Sequence, residues 1–550
     1  MERDEAIKHL CALHDSLEQE RILGDSYQQE LHEYTLPAKA AITSDFDASA
    51  TPYREKYDAM GMLGAARFAA NMYTHATPPQ GRWFLLSPAA GSKLERDRTY
   101  ADNLGDRTER LHYALQQSNF ETEIQGCYED LAAGTCCLAA QRDDQSAFTL
   151  STRPRSEYCF LENHKSRIDT VFVRRNWTAY EAAQRFGLGK IAETLRESLT
   201  KQQPAAFSQR RTYLNAIRPN EEWNPRSVTA ARFPFTSLWI DKETKGLLEM
   251  RGVKRLRYII ARFWRPTGMA WGMGPSDMAY SWIRCKDKAV EILLKYAARV
   301  MDPPSVWPDD GAFHPASTLP GTKIKGRMSA IGGGMPQYLQ IQGNHQIAQW
   351  LIEYLDGVIL QAYFADIFRV LTDNKERTAS EVATVLQKDF TMAIPVVGRL
   401  KAELFGPLLR LCLELLTEYE LGIHGWLYGG KPLPEYEYDL ELISPLGLAV
   451  KYAELQKMSD LVLLNSQLAN VDPRVWDNYS LDDMSHGIGD SMGVPRHWLR
   501  SITERRAIRE RAQALQEQQI AMQQANVGSD IVQKLGKDVG PRSPMALAAA

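Results

Sequence analysis

The residues of this sequence best suited to chemistry are two pairs of adjacent acids, a short glycine-lysine run and eleven histidines. The acids, Asp309-Asp310 and Asp482-Asp483, could serve a metal-dependent hydrolase or nuclease, because carboxylates bind Mg²⁺ and the metal activates water. Both pairs fall in segments typical of loops, and neither has a third ligand nearby in the sequence. Exposed loop acids are the commoner explanation, so hydrolysis stays an alternative hypothesis.

Nucleotide and metal sites find little support elsewhere in the sequence. A P-loop needs G-x-x-x-x-G-K-[ST] between a strand and a helix, and Gly187-Leu188-Gly189-Lys190 lacks both the spacing and the hydroxyl. Gly332-Gly333-Gly334 lacks the flanking strand and helix, so it is interpreted as a turn. The histidines form neither an H-E-x-x-H motif nor a cluster with cysteines. The sequence therefore predicts no catalytic residue, no cofactor and no metal.

Four basic residues recur at steps of four, seven and four within a long helix expected over 276–302. This spacing places them on one side of the helix. They are Arg284, Lys288, Lys295 and Arg299. Asp287 and Glu291 lie among them, which favours a solvated surface of mixed charge. The sharper hypothesis is that this basic face meets a polyanion.

A polar segment, 369–378, separates two helical patterns further along the chain. It holds the bases Arg369, Lys375 and Arg377 against the acids Asp373 and Glu376, a net charge of +1. Such a nearly balanced loop could touch phosphates transiently without holding them.

The composition describes a large chain that folds and buries a core. Its 550 residues, 44% hydrophobic and 24% charged, predict several structural units. The 65 basic and 68 acidic residues give a net charge of −3, so no overall cationic field gathers nucleic acid. Seven cysteines without a C-x-x-C pair indicate a reducing compartment. A charged start and the lack of an 18-residue apolar run predict neither export nor membrane insertion.

Hydrophobic spacing predicts an α+β fold that is mainly helical. The first 34 residues have the spacing of amphipathic helices with one buried stripe, which would include Leu23 and Tyr27. Further helices are expected over 58–76, 100–117 and 120–133, with a strand at 82–86 between the first two. Two or three short β units are expected within 136–265, at Ile168–Arg175, Phe235–Ile240 and Tyr258–Trp264.

Two long helices are expected in the second half. The first, after Gly274-Pro275, ends at Asp302 because a residue before proline is pushed out of the helical region. The second, 345–368, is apolar almost all round and must be covered on most sides, by its own chain or by a neighbouring subunit. A turn-rich insert, 303–342, joins the two.

This plan, with several short motifs in order, resembles the bacteriophage portal proteins, the head-to-tail connector family of short-tailed phages. No single motif is diagnostic, but their order and spacing together are specific, and the similarity runs from the N-terminus to about residue 525. The motifs are Thr77-Pro78-Pro79 with Arg82-Trp83-Phe84, Ser118-Asn119-Phe120, Tyr128-Glu129-Asp130-Leu131 with Gly134-Thr135, Trp271-Gly272-Met273-Gly274-Pro275, Asp302-Pro303-Pro304 and Glu376-Arg377-Thr378-Ala379-Ser380-Glu381-Val382.

The resemblance implies a portal fold with wing, stem, clip and crown layers that assembles into a ring with a central channel. Carried onto this chain, it implies a wing at 1–275, stem helices at 276–302 and 343–368, a clip at 303–342, a tunnel loop at 369–380, a wing return helix and crossing at 381–444, a helical crown at 445–525 and a flexible tail at 526–550.

It also implies a structural role without catalysis. A homododecamer at one capsid vertex of the virion, assembled in the host cytoplasm, would pass double-stranded viral DNA during genome packaging and ejection. Its partners would be the large terminase subunit, tail adaptor and nozzle proteins, and the capsid and scaffolding proteins, with no membrane. The implied tunnel-loop residues are Arg369, Asp373, Asn374, Lys375, Glu376 and Arg377, and the implied clip docking residues are Trp307, Asp309, Asp310, Phe313 and His314.

Two rivals remain open at this point. A hydrolase or nuclease built on the paired acids would cleave DNA with Mg²⁺. A tail or scaffold component would form no closed ring.

Overall fold

The computed structural model of the chain separates into two compact units, Met1–Leu461 and Val462–Ala550. It describes residues 2–43, 56–79, 81–89, 98–143, 145–224, 226–227, 230–302, 305–308, 323–326, 337–338, 345–365, 394–424, 438–444, 461–468, 474, 478, 507–520 and 522. The predicted tunnel loop, most of the clip, Asp482-Asp483 and the C-terminal tail lie outside these residues.

Eleven α-helices occur in the described part of the first unit, and a single π-helical turn, Lys401–Phe405, joins the last two. They are α1 Glu2–Thr35, α2 Met60–Ala76, α3 Arg98–Gln117, α4 Phe120–Ala132, α5 Ala179–Phe186, α6 Glu193–Thr200, α7 Ala205–Ser208, α8 Pro275–Met301, α9 His345–Ala362, α10 Ile394–Leu400 and α11 Gly406–His424.

The strands of this unit form four sheets. They are β1 Phe84–Pro88, β2 Thr135–Asp143, β3 Ala147–Arg153, β4 Tyr158–Glu162, β5 Ile168–Thr178, β6 Arg210–Pro219, β7 Phe235–Asp241, β8 Gly246–Val253, β9 Tyr258–Arg262, β10 Ser305–Pro308, β11 Lys323–Gly326, β12 Gln337–Tyr338 and β13 Tyr438–Leu442. The sheets are the antiparallel β4-β5-β6-β7-β8, the antiparallel β3-β2-β9, the antiparallel pair β1-β13, and β11-β10-β12, in which β10 and β11 are parallel.

The five-stranded sheet is covered on both faces. Phe172 on β5 packs with the first half of α1, while its neighbours Val171 and Val173 face the β2-β9 sheet. This alternation follows from the two-residue period of a strand. A third and larger core joins α2, α4, α11 and the other face of the β2-β9 sheet. The α+β prediction is therefore confirmed.

The predicted β content was too low. Between residues 135 and 262 the described chain contains eight strands rather than two or three units. Strand β2 was not predicted because its first six residues are all buried, so the strand lacks the apolar-polar alternation of a half-exposed strand. Strand β6 was not predicted because the polar Asn215 lies buried at the centre of this strand. The Asn215 amide nitrogen donates to Tyr258 Oη at 2.9 Å, and its oxygen accepts from Ser237 Oγ at 3.1 Å.

The single apolar stripe predicted for the N-terminus is only partly correct. One 34-residue helix forms, but Leu23 is 84% exposed and Tyr27 is 40% exposed. The buried positions there are polar instead: the Arg21 guanidinium donates to Asp25 at 3.0 Å and to the Ser156 carbonyl at 2.9 Å. Burial of this charge is tolerated because the guanidinium is paired with a carboxylate and with backbone carbonyls.

Most other helical predictions are confirmed to within a few residues. The first long helix, α8, spans 27 residues and ends before Asp302. In the second unit, residues 462–468 and 507–520 are helical, and both segments lie within the range expected to be helical, 445–525. None of the described helices combines the length and hydropathy that crossing a bilayer would need.

Candidate functional site

The start of α8 is fixed by a close crossing of three glycines. Gly134 ends the connection after α4 with φ +112°, in the left-handed region that favours glycine. A Cβ on Gly274 would lie 2.6 Å from the Gly134 nitrogen and would overlap the Ala132 carbonyl oxygen. The Gly272 amide donates to Thr135 Oγ1 at 2.9 Å. The Trp271–Pro275 motif therefore serves to seat the root of α8 against the end of α4.

Helices α8 and α9 run antiparallel along one another. Near the root, the hydroxyls of Ser276 and Tyr363 lie 2.9 Å apart. Further along, the buried Lys286 ammonium contacts Asp356 and lies 2.8 Å from Asp58. Contacts with these two carboxylates raise the pKa of Lys286 against the opposing effect of its burial. The cation is held charged and ties both long helices to the segment before α2.

The acids that accompany the basic face have different roles. Asp287 is buried and accepts the backbone amides of Tyr57 at 2.7 Å and Asp58 at 3.1 Å. It therefore shapes the chain instead of facing solvent. Glu291 bonds the ammonium groups of both Lys288 and Lys295, at 2.6 and 2.5 Å. Hydrogen bonding to Lys288 lowers the pKa of Glu291 and that same bond raises the pKa of Lys288.

The basic face therefore keeps a net charge of +2, because its four cations are offset by only two acids, Glu30 and Glu291. Arg284 lies 3.6 Å from Glu30 of α1 and 5.6 Å from the ring centre of Tyr280. Arg299 is exposed near the end of α8. The structure brings the four predicted residues to one side of the helix, and it adds Glu30, an acid more than 250 residues distant in the sequence.

Replacing Glu291 with Gln is expected to strengthen nonspecific DNA binding by the purified protein. The change releases two lysines from one acid, and each additional phosphate that these lysines neutralise steepens the dependence of log K on log salt by about 0.9. Fluorescence anisotropy with a short duplex at several salt concentrations measures this slope. Glu193→Gln on α6, whose acid pairs with Arg196 at 3.0 Å, is the matched control. An unchanged slope would mean that the basic face is only a solvated surface.

The outer parts of the paired helices expose several large apolar side chains. In the described residues α8 has no buried position after Asp287, and α9 has none before Leu355. Trp350 and Tyr354 stack at a centroid distance of 5.7 Å, with 63% and 50% of their surfaces exposed. Exposed with them are Ile292, Leu294, Val300, Met301 and Ile347. We call these seven residues the apolar stem surface. Exposed patches of this kind mark sites of protein contact.

Of the remaining predicted site residues, one lies within the described residues and the others lie outside them. Trp307 lies on β10, the central strand of the small sheet β11-β10-β12. The other predicted clip residues, Asp309, Asp310, Phe313 and His314, lie outside the described residues. So do all six tunnel-loop residues: Arg369, Asp373, Asn374, Lys375, Glu376 and Arg377.

One group with metal-ligand chemistry escaped the sequence analysis. On α1, His14, Asp15 and Glu18 bring one ligand atom each within 4.8 Å of the others. The Lys242 ammonium already lies 3.0 Å from Asp15, and Arg174 lies 3.2 Å from Glu18. Burial also lowers the pKa of His14. The neighbouring cations supply the charge that a metal would bring, so this group is an ion-pair cluster that attaches α1 to the five-stranded sheet.

Comparison with known proteins finds matches over nearly the whole chain. The sequence model of the family described as bacteriophage head to tail connecting protein matches residues 8–499. The chain is 24% identical over 549 residues to the probable portal protein of Bordetella phage BPP-1, covering 96% of this chain and 95% of the relative. It is 24% identical over 552 residues to the portal protein of Salmonella phage epsilon15, covering 95% and 94%.

These matches extend over the root, both long helices and the small sheet, so they include every part of the site described above. Proteins of this family are structural components of the virion and not enzymes. With the family match covering most of its length and two full-length relatives named as portal proteins, the chain belongs to the bacteriophage head-to-tail connecting proteins, the portal protein family.

Proposed function

We propose that twelve copies of this chain form a ring at one capsid vertex, with a central channel through which double-stranded viral DNA enters during packaging and leaves during ejection. The observation that carries the proposal is the apolar stem surface. Seven large apolar side chains on two paired helices are exposed in the single chain. Helices of this kind gain most of their stability from packing of their apolar face.

A ring would cover the apolar stem surface of every copy with a single repeated contact. When one face of a subunit binds a different face of the next, and the rotation divides the circle, the assembly closes and every copy is covered on both sides. The apolar stem surface of each copy would then pack against the long helices of its neighbour. The partial neutralisation of the basic face by Glu30 and Glu291 suits such a channel, because a strongly cationic lining would hold DNA instead of letting it slide.

The layers follow the order of the chain. We assign residues 1–275 and 381–444 to the wing, 276–302 and 343–368 to the stem, 303–342 to the clip, 369–380 to the tunnel loop and 445–525 to the crown. In this arrangement the clip, with Trp307, Asp309, Asp310, Phe313 and His314, docks the large terminase subunit and later the tail adaptor. The wing and crown face the capsid and scaffolding proteins.

Imaging of the purified protein by negative-stain microscopy, together with its mass in solution, tests the proposal. Twelve chains of 62.2 kDa would give a particle of about 750 kDa with a central hole. Monomers or open filaments would overturn the ring and favour a tail or scaffold component. Mg²⁺-dependent DNA cleavage that is lost in Asp309→Asn would favour the nuclease.

Neutralising Lys375 and Arg377 by alanine is expected to leave ring assembly intact and to reduce the number of DNA-filled particles about five-fold. The double change turns the predicted loop charge from +1 to −1, so a ring of such loops would repel the DNA phosphates. Quantifying packaged DNA per particle measures the effect, with Arg196→Ala on α6 and Lys201→Ala directly after α6 as the control of equal charge. Loss of the ring in the double variant would make these residues structural instead.

A further inference from the structure

Two thiols lie within bonding reach at the junction between α4 and β2. Cys127 is in the penultimate turn of α4 and Cys136 is the second residue of β2, and their Sγ atoms are 2.8 Å apart. Both side chains are fully buried in the largest core. A disulfide requires about 2.05 Å between the sulfurs, so closing this pair needs a shift of less than about 1 Å. Both thiols are free in the structure.

The pair is isolated from the other cysteines. Cys137 follows Cys136 directly, but successive side chains of a strand point to opposite faces, and Cys137 lies in the core between the two sheets. Cys412, on α11, shares the large core, yet no sulfur contact joins it to the pair. The geometry thus allows one specific bridge among the seven cysteines.

We propose that Cys127 and Cys136 form an intramolecular disulfide after the protein leaves the reducing cytoplasm, so that the wing is covalently locked in the released virion. The timing rests on the family's place in the virion, since thiols stay reduced inside a cell and oxidise outside it. The bridge itself rests on the geometry alone.

The reaction is an exchange with a small-molecule disulfide. The Cys127 thiolate or the Cys136 thiolate attacks the reagent, releases one thiol and forms a mixed disulfide. The second cysteine then displaces the other thiol. Two protein thiols are oxidised and one reagent disulfide is reduced to two thiols, so electrons and protons balance. Burial raises the pKa of Cys127, so few thiolates exist and oxidation proceeds slowly, through local opening of the connection around Gly134.

The bridge would act at the root of the paired helices. It spans the connection that contains Gly134, against which Gly272 and Gly274 pack. Because a disulfide restricts the unfolded chain and limits local opening, the oxidised protein should hold the start of α8 more firmly. The protein would assemble with both thiols reduced, and the disulfide would form afterwards.

The test uses the purified full-length chain, incubated with either dithiothreitol or oxidised glutathione until the thiol count is constant. Alkylation in denaturant is expected to label seven cysteines in the reduced protein and five in the oxidised one. A protease that cleaves after glutamate separates Cys127 from Cys136 at Glu129, so non-reducing mass spectrometry would find 124–129 joined to the peptide carrying Cys136. The oxidised protein should melt about 2–5 °C higher, reversibly on reduction.

Variants assign the bridge without relying on stability. Cys127→Ala and Cys136→Ala should each keep six labelled thiols after oxidation, while Cys137→Ala and the control Cys412→Ala should fall from six to four. Seven labelled thiols in the oxidised wild type, or a cross-link to another cysteine, would overturn the proposal. Because the partner peptide, 130–157, carries both Cys136 and Cys137, fragmentation of the wild-type cross-linked peptide between these two residues identifies the bridged cysteine even if a variant fails to fold. Ring assembly is scored separately by microscopy, so failure of the bridge and failure of the ring are distinguishable.

Discussion

A Trp350→Glu chain is expected to fold as a monomer and to lose the ring. Trp350 is 63% exposed in the single chain and stacks on Tyr354, another residue of the apolar stem surface. Buried tryptophans are frequent anchors of protein interfaces, and their loss costs about 2 kcal/mol or more per contact, which weakens each contact about 30-fold. A carboxylate placed there would also need desolvation. Because a closed ring repeats the contact at every subunit, the loss accumulates.

Sedimentation velocity and circular dichroism separate assembly from folding. The variant should sediment as a monomer with an unchanged helical signal, whereas Trp223→Glu, at a position 55% exposed in the loop before β7, should still form rings. Rings of normal stability in Trp350→Glu would show that the apolar stem surface is not the subunit contact. A variant that lost its helical signal would require Tyr354→Glu or Ile347→Glu as the replacement, since both residues are half exposed or more.

The sequence predicted the long helices well because their signals are local. Pro275 after Gly274 starts α8, and Asp302 before Pro303 ends it, so both boundaries can be found without tertiary information. The apolar character of 345–368 is local as well, and it correctly indicated the helix α9. Which residues remain exposed in the single chain depends on packing between α8 and α9, which no local pattern gives.

The failures of prediction share a physical cause. The polar stripe of α1 is buried because Arg21 finds acceptors in the Ser156 region, more than 130 residues away. The central strand β6 tolerates Asn215 because β7 and β9 supply its partners. At the candidate site, the basic spacing was predictable, but its neutralisation by Glu30 of α1 was not. Hydrophobic periodicity gives no signal for polar residues whose partners lie far away in the sequence.

The Trp271–Pro275 motif illustrates the same limit and leads to the second large prediction. Gly274→Ala is expected to destabilise the first unit by about 3 kcal/mol, because the new Cβ would overlap the backbone at Ala132 and Gly134, and a backbone cannot move aside like a flexible side chain. The Gly274 amide also bonds Asp277 at 2.7 Å in the first turn of α8, so the shift would disturb the helix start.

Urea unfolding followed by tryptophan fluorescence measures the loss of stability in Gly274→Ala. The control is Gly189→Ala, where a Cβ meets nothing within 4 Å, so stability should change by less than about 0.5 kcal/mol. The Gly274→Ala chain should also form fewer rings, because the root fixes the position of α8, along which α9 packs. Full stability with lost rings would show that the root shifts without unfolding and that its position alone controls assembly. Full stability with normal rings would mean that α8 can start elsewhere, and the close crossing of glycines would then have no bearing on how subunits meet.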